Sequence, residues 1–441
     1  MIKHKGRHLL ASLLVVGASL SAQESLTVSR AIQKAWTDQA GLRAGQDMVE
    51  SRQAEADGFR DLRLPTLTLN AQGVETNEPM MAFGIKLNEA RIGMADFNPL
   101  ILNHPDAIGA YGGSAVIQQA LYTGGRITAA RRAGDFMFQA EQASQERRKQ
   151  ETAQMVVQAY FGTQVAEQAL KWADDTCQWI QGMEDFVGAR VQQGLMLESE
   201  LQRLKAFHAQ ANAQKADVIK QVRSARSGLG LLTGSGPVEG TLATPLEPET
   251  PVSVKNGQRN TFRGDLVSAD LQAKAAKEGA DAAKGNLLPE VGLELGAGTL
   301  HHSWSEKGNW TWAAVGMKWK VFSAPDVAKA KAARAQERAA TDMRTFKQQQ
   351  AEHEVRVARE AVIAADARYL AAKESLAAAE ESKRLREARH REGLAPLIEV
   401  LDAEAAIQGA RTLILQSLFE IRVSRAGLDL ATGNPIEGVN P

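Results

Sequence analysis

One segment of the sequence occurs twice. Residues 190–234 align without a gap on residues 389–433, and both copies end in Leu-x-Thr-Gly. An offset of roughly 200 residues is far longer than a solenoid repeat and indicates that a domain-sized unit was duplicated. The two halves of the chain are therefore expected to fold alike and to pack side by side. The coincident pairs are Arg190/Arg389, Gly194/Gly393, Leu195/Leu394, Glu200/Glu399, Arg223/Arg422, Arg226/Arg425 and Gly228/Gly427.

Each copy has the pattern of a helical hairpin. Gly194 and Gly393 stand where a helix must end, and glycine takes the left-handed C-cap conformation at little cost. Pro396 follows the second turn, which suits the first position of a new helix. Apolar residues then recur at helical spacing, so helix, turn and return helix are expected at both places.

The composition narrows the function classes. The 441 residues carry a formal net charge of zero, which does not suggest nucleic-acid binding. Only 5 % are aromatic, and Ala, Gln, Glu, Lys and Arg dominate long segments, as in coiled coils. The single cysteine, Cys177, excludes a disulfide framework within one chain. The adjacent His301 and His302 are more simply polar loop residues than a metal pair, and no catalytic set is found. Neither enzymatic activity nor a cofactor is expected.

The N-terminal residues have the pattern of a signal peptide. Three basic residues precede the apolar run 9–20, and small residues follow it. The run is shorter than the ~20 residues that span a bilayer as a helix. We expect residues 1–22 to be removed by cleavage near Ala22 and the mature protein to be exported. No later segment reads as a transmembrane helix, so membrane insertion would require a closed barrel of strands.

The first repeat is predicted over residues 23–234. Strict alternation of polar and apolar residues marks its first strand, and a proline-free run marks its long helix. The long stretch 75–108 is predicted to be an irregular outer loop. The return helix is too short to cover the long helix, so the first helix is expected to cover the rest. The predicted elements are a helix at about 26–62, strands near 66–74 and 114–122, a long helix over 126–190 and a return helix to about 232.

The second repeat is predicted over residues 260–433, with the same order of elements. A Pro- and Gly-rich linker, residues 235–259, separates the halves, and residues 434–441 form a C-terminal tail. The strands are predicted near 291–298 and 310–322, and the long helix over 325–389.

Four strands of this length can cross a bilayer when tilted, but they cannot close a barrel, for which about eight is the small end. The arithmetic therefore favours an oligomer, and three chains would give twelve strands. Four tryptophans in and beside the fourth strand are interpreted as an interfacial aromatic girdle: Trp304, Trp310, Trp312 and Trp319. The alternative is a β-hairpin packed on helices in a soluble protein.

The order of these elements and the duplicated motifs resemble the outer-membrane efflux proteins, the TolC-like channels, over nearly the whole mature chain. The motif Arg-x-x-x-Gly-Leu followed by an acidic residue, at 190–200 and 389–399, is similar to the periplasmic tip hairpins of that family. Segment 83–107 resembles the outer loop of a subgroup. Further motifs similar to the family's are the two Leu-x-Thr-Gly ends, Leu64-Pro65, Leu288-Pro289 and Gly124-Gly125-Arg126.

The resemblance implies a mainly α protein with a transmembrane β-barrel. Three chains would build an α-helical barrel across the periplasm and a twelve-stranded β-barrel in the outer membrane, four strands from each chain. The expected partners are two further chains, a periplasmic adaptor (membrane-fusion) protein and an inner-membrane pump. The adaptor would dock at the tips, on Arg190, Gly194, Leu195, Arg389, Gly393 and Leu394.

Two acidic residues are expected at the narrow closed end of the channel. Glu399 and Asp402 match the family's constriction positions, and carboxylates three residues apart share one helical face. Rings of such carboxylates favour cations. The alternative is that both are solvated helix residues.

The expected function is the exit duct of a tripartite efflux system that exports small molecules. An alternative within the same fold is the exit duct of a type I protein-secretion system. An alternative of another class is a periplasmic structural coiled coil without a pore.

Overall fold

The computed structural model describes residues 25–247, 263–303, 308–437 and 439. The predicted signal peptide, the linker from residue 248 onward and Trp304 lie outside the described residues. Among the described helices, none combines the length and apolar character needed to cross a membrane.

The first repeat contains six α-helices and two strands within the described residues. The predicted helix at 26–62 is divided, because Gln39 has an extended backbone (ψ 122°). The predicted irregular stretch 75–108 instead folds into two short helices and a 3-10 turn. The elements are α1 Val28–Asp38, α2 Ala40–Asp61, β1 Thr66–Thr76, α3 Pro79–Asn88, the 3-10 turn Met94–Phe97, α4 Pro99–Asn103, β2 Ile108–Tyr122, α5 Arg126–Gln192 and α6 Glu198–Leu232.

The second repeat has the predicted order of helix, two strands, long helix and return helix, which confirms the duplicated architecture. The strand predicted over 310–322 is shorter, because Trp319 leaves the ladder and its indole N–H donates to Leu287 O (3.2 Å). Residues 319–323 instead lead into the last long helix, which Ser323 caps. The elements are α7 Gly264–Gly285, β3 Glu290–His301, β4 Asn309–Lys318, α8 Ala324–Arg391 and α9 Leu397–Thr432.

The two long helices set the length of the protein. Helix α5 has 67 residues and α8 has 68, so each extends about 100 Å at 1.5 Å per residue. Helix α5 packs against α2 over its first half and against α6 over its second half. Gln145 Nε2 donates to Leu42 O (2.8 Å) in the first contact, and Arg226 pairs with Glu167 (2.6 Å) in the second. Two shorter helices therefore cover one long helix, as the lengths predict.

The main core lies where the shorter helices meet. Ile32, Tyr160, Phe161 and Leu229 are each 0 % exposed and come from α1, α5 and α6. Burial of each such side chain contributes about 1.5–3 kcal/mol. The Tyr160 hydroxyl donates to Leu26 O (2.6 Å) and accepts from the backbone N–H of Thr244 (3.0 Å). The core therefore attaches two segments to α5: the residues that precede α1 and the connection between the repeats.

The four strands form one antiparallel sheet in the order β1-β2-β3-β4. Strand alternation and register place apolar side chains on one face, which we call the apolar face: Leu67, Leu69, Ile117, Leu295, Val315 and Met317. These side chains are 39–74 % exposed. The opposite face, which we call the polar face, carries Thr66, Thr68, Asn70, Gln72, Ser114, Gln118 and Glu294. Strands β1 and β4 are the edges of this sheet.

The tryptophans of β4 lie on the polar face. Trp310 pairs with Gly298 and Trp312 with Gly296, and each indole covers its glycine. An added Cβ at Gly296 would lie 2.2 Å from the Trp312 ring nitrogen, so glycine makes room for the ring. Aromatic girdles flank the outward-facing apolar band of an outer-membrane barrel, and the register places Trp310 and Trp312 on the face opposite the apolar one, which does not fit the predicted girdle.

Candidate functional site at the hairpin tips

Both hairpin turns have the same backbone geometry. Gly194 and Gly393 have φ of +72° and +77°, a region that favours glycine. The backbone N–H of Leu195 donates to Arg190 O (2.8 Å), and that of Leu394 donates to Arg389 O (2.8 Å). This is the Schellman closure, in which a left-handed residue ends a helix and the following N–H returns to its last turn. We call residues 190–197 the first tip and 389–396 the second tip.

The two tips lie side by side. A groove of about 450 Å³ is lined by residues of both tips, including Leu195, Leu197 and Gly393. Leu195 is 67 % exposed and Leu394 is 64 % exposed, so apolar side chains project where the helices turn. His390 is buried beneath them, and its Nδ1 lies 2.8 Å from Ala395 O. The predicted docking residues are thus brought together at one end of the molecule.

The two predicted constriction residues lie on the first turns of α9. Glu399 is half-buried and Asp402 is exposed. Leu397 and Leu401, on the other side of the same helix, are buried against α5. The carboxylates therefore face away from the core of their own chain. Arg386 Nη1 donates to the backbone O of Glu399 (3.3 Å), which fixes α8 against the start of α9.

A buried polar network lies next to the tips, and the sequence analysis missed it. The Glu404 side chain is 1 % exposed, and its Oε2 lies 2.5 Å from Lys383 Nζ. Its Oε1 accepts from Thr176 Oγ1 (3.2 Å) and Gln408 Nε2 (2.6 Å). The signal was available, because Glu404 continues the buried helical stripe of Leu397, Leu401 and Ile407, where a carboxylate requires a partner.

Trp179 completes this network. Lys383 Nζ lies 3.9 Å from the centroid of the Trp179 ring, a cation–π contact. The Trp179 indole N–H donates to Glu387 Oε1 (2.7 Å), and Glu387 lies 3.6 Å from Lys383. The network connects α5, α8 and α9 one to two turns above Glu399, so it holds the two repeats together at the tip end.

Two titratable groups elsewhere on the helices have shifted pKa values. Burial raises the pKa of the Cys177 thiol, which donates to Asn212 Oδ1 (3.6 Å). Burial, with the nearby charge of Glu437, raises the pKa of Asp429 to about 6, although a hydrogen bond from Asn434 opposes the shift. Among the residues that the structure describes, no cluster of His, Cys, Asp and Glu could hold a metal ion.

The histidine pair is held by local contacts at the far end of the sheet. His301 Nδ1 lies 2.9 Å from Thr299 Oγ1, and its ring packs edge-on against Tyr111. His302 Nδ1 lies 2.7 Å from Gly109 O. The two imidazole rings therefore contact residues of β2 and β3, as polar residues at a strand end do.

Comparison with solved structures identifies the fold. The chain is similar to CusC, whose structures concern transmembrane channel formation (20 % identity, 92 % of each chain, TM-score 0.79). It is also similar to the outer membrane protein VceC of Vibrio cholerae (17 % identity, 92 % of this chain and 96 % of that chain, TM-score 0.77). A third is the MtrE outer membrane channel of Neisseria gonorrhoeae (20 %, 94 % and 90 %, TM-score 0.77). The fold is that of TolC-like outer-membrane channels.

A match between the sequence and a family model shows the family to which the chain belongs. The model of the outer membrane efflux protein family matches residues 31–235 and 262–434, and the chain belongs to that family. The family consists of channels, so the protein is not an enzyme. A search of curated protein sequences finds no significant match.

Proposed function

We propose that the protein is the outer-membrane exit duct of a tripartite efflux system. Three copies form the duct, with the sheets in the outer membrane and the helices in the periplasm. A periplasmic adaptor binds the tips and links the duct to an inner-membrane pump, which supplies the energy. The exported compounds are small molecules.

The observation that carries this proposal is the sheet at one end of the ~100 Å helices. Its apolar face is exposed. Its edge strands β1 and β4 carry backbone N–H and C=O groups that have no strand partner within the four-stranded sheet. Open edges are not tolerated in lipid, and pairing β1 of one copy with β4 of the next removes them. Three copies give twelve strands, with the apolar face toward lipid and the polar face toward the lumen.

The opposite end supports adaptor docking. Leu195 and Leu394 expose apolar surface at turns whose backbone conformation is fixed by glycine. Partly exposed apolar residues around a groove are typical of a protein interface. Glu399 and Asp402, which face away from their own core, form the acidic constriction of the duct near the same end.

The test is complementation of a strain that lacks the gene. The double variant Leu195→Asp/Leu394→Asp places two carboxylates at each pair of tips, and we expect it to lose resistance to small toxic compounds. The matched control Leu195→Met/Leu394→Met keeps apolar surface of similar volume and should retain resistance. Both proteins should be present in equal amounts in the outer membrane.

Two outcomes would contradict the proposal. If the wild-type gene restores secretion of a protein substrate but no resistance, the duct serves type I secretion. If deletion changes neither process and the protein is recovered from the periplasm, the molecule is a structural coiled coil.

A further inference from the structure

The polar face of the sheet carries two indole rings that lie over glycines. An added Cβ at Gly296 would lie 2.2, 2.5 and 3.0 Å from three atoms of the Trp312 ring. One at Gly298 would lie 2.3, 2.7 and 2.8 Å from three atoms of the Trp310 ring. Because a Cβ projects out of the sheet, these distances place each ring above its glycine on β3. One side of each indole therefore rests on the backbone, and the free side is turned away from it.

The free sides of these rings are open in the protomer. Trp312 is 38 % exposed and Trp310 is half-buried, whereas Gly296 beneath Trp312 is buried. Helix α3 packs nearer the outer end of the sheet, against Val74 and Leu300. Both rings lean toward β3 and thus away from the edge of the sheet at β4. Pairing of β4 with a strand of the next copy would therefore leave the free sides of the rings toward the lumen.

A carboxylate lies beside the rings on the same face. Glu294 pairs with Ala314 and is therefore diagonal to Trp312 across β3 and β4. Diagonal neighbours on one face of a sheet are ~7–8 Å apart, within reach of an aromatic side chain. Glu294 is exposed, and Gln118 Nε2 donates to its Oε1 (3.0 Å). This hydrogen bond orients the carboxylate without neutralising its charge.

The other strand charges on the polar face are paired or distant. Glu290 pairs with Arg126 (3.1 Å), and Lys318 lies opposite Glu290 on β4. Along β4, Lys318 is ~13 Å from the position opposite Glu294, at 3.3 Å per residue. Strand β1 contributes only uncharged side chains to this face, at alternate positions over 66–74. In the part of the chain that the structure describes, Glu294 has no ion pair, so its charge is available to a ligand.

This arrangement selects a ligand by charge as well as by shape. The π face of an indole attracts a cation within ~6 Å of the ring centroid, and it also stacks on aromatic rings. A carboxylate beside the ring adds attraction for a cation and repels an anion. Ring and charge together fit a molecule that combines an aromatic system with a positive charge.

We propose that Trp310, Trp312 and Glu294 form a binding site for aromatic organic cations on the luminal wall of the duct, which we call the indole site. Three copies of the chain place three such sites around the lumen. The inference rests on the proposed exit duct and adds a substrate class to it: planar or aryl-substituted ammonium compounds that leave the cell through the barrel.

The test is equilibrium binding to the purified trimer in nanodiscs of zwitterionic lipid. The probes are ethidium, a planar aromatic cation, and fluorescein, a planar anion, and fluorescence anisotropy gives the dissociation constant of each. Glu294→Gln removes the charge at nearly constant shape, and its matched control is Glu290→Gln on the same strand and face. Trp312→Leu removes the ring, and its control is Trp319→Leu, just beyond the end of β4. Every variant retains the acidic constriction, which therefore contributes equally to all.

We expect ethidium to bind more tightly than fluorescein. Glu294→Gln and Trp312→Leu should each raise the dissociation constant of ethidium about fivefold, the size of an exposed cation–π contact. The two controls should leave it unchanged.

Unchanged ethidium affinity in Glu294→Gln, on an intact trimer, would overturn the indole site and leave the proposed duct standing. If Trp312→Leu does not assemble, Glu294→Gln decides alone, because it keeps the packing of the sheet. Recovery of the wild-type protein as a periplasmic monomer would overturn the proposed duct, and the indole site with it.

Discussion

Replacing Lys383 with Met, which keeps the aliphatic stem and removes the cation, tests the buried network at the tip end. The Glu404 carboxylate would remain 1 % exposed with its cation gone. Removing one partner of a buried ion pair typically costs ~3–5 kcal/mol. The hydrogen bonds from Thr176 and Gln408 persist in the variant, so we expect the lower part of this range.

Native-state hydrogen exchange of the α9 amides between residues 400 and 410 measures the free energy of local opening. The control is Glu404→Gln, which removes the buried charge and should cost only about 1 kcal/mol. The double variant Lys383→Met/Glu404→Gln should be more stable at pH 7 than Lys383→Met alone. A double variant that is no more stable than Lys383→Met would refute the reasoning.

Three further predictions concern other parts of the chain. Asp429→Asn should raise the free energy of unfolding by up to ~3 kcal/mol at pH 8 and by little at pH 4, because the raised pKa of Asp429, about 6, makes its ionised form unfavourable in the folded state. Thermal unfolding at the two pH values measures this, and equal gains at both would contradict it. Gly264→Ala should weaken the α5–α7 contact by ~1–3 kcal/mol and lower protease resistance, because the new Cβ would lie 2.3 Å from Ala143 O. Unchanged resistance would contradict this, because it would show that the contact accommodates the Cβ. Glu399→Ala/Asp402→Ala should weaken cation preference and block by multivalent cations in bilayer conductance, and unchanged selectivity would remove both residues from the pore.

Several elements of the fold could be predicted from the sequence. The duplicated Arg-x-x-x-Gly-Leu motif predicts the turns at Gly194 and Gly393, because a left-handed C-cap favours glycine wherever it occurs. The proline-free run predicts α5, and the repetition of the pattern predicts α8, each within two residues at each end. Strand β2 begins at Ile108, before the predicted 114, because residues 108–113 pair with β1 and residues 111–113 also pair with β3, and not because of their own propensity.

The sequence alone determined the long helices, their return helices and the strands, with their order and repetition, since these depend on local periodicity, capping and turn chemistry. Only the tertiary structure decided which distant side chains meet. Lys383 and Glu404 are 21 residues apart, and Trp179 joins them from the other repeat. The same holds for the stretch 75–108, whose composition predicts an irregular loop. Its place on the polar face depends on the burial of Ala82 and Ile85 and on the attachment of Glu89 to the neighbouring hairpin, and contacts between distant residues of this kind have no periodicity in the sequence.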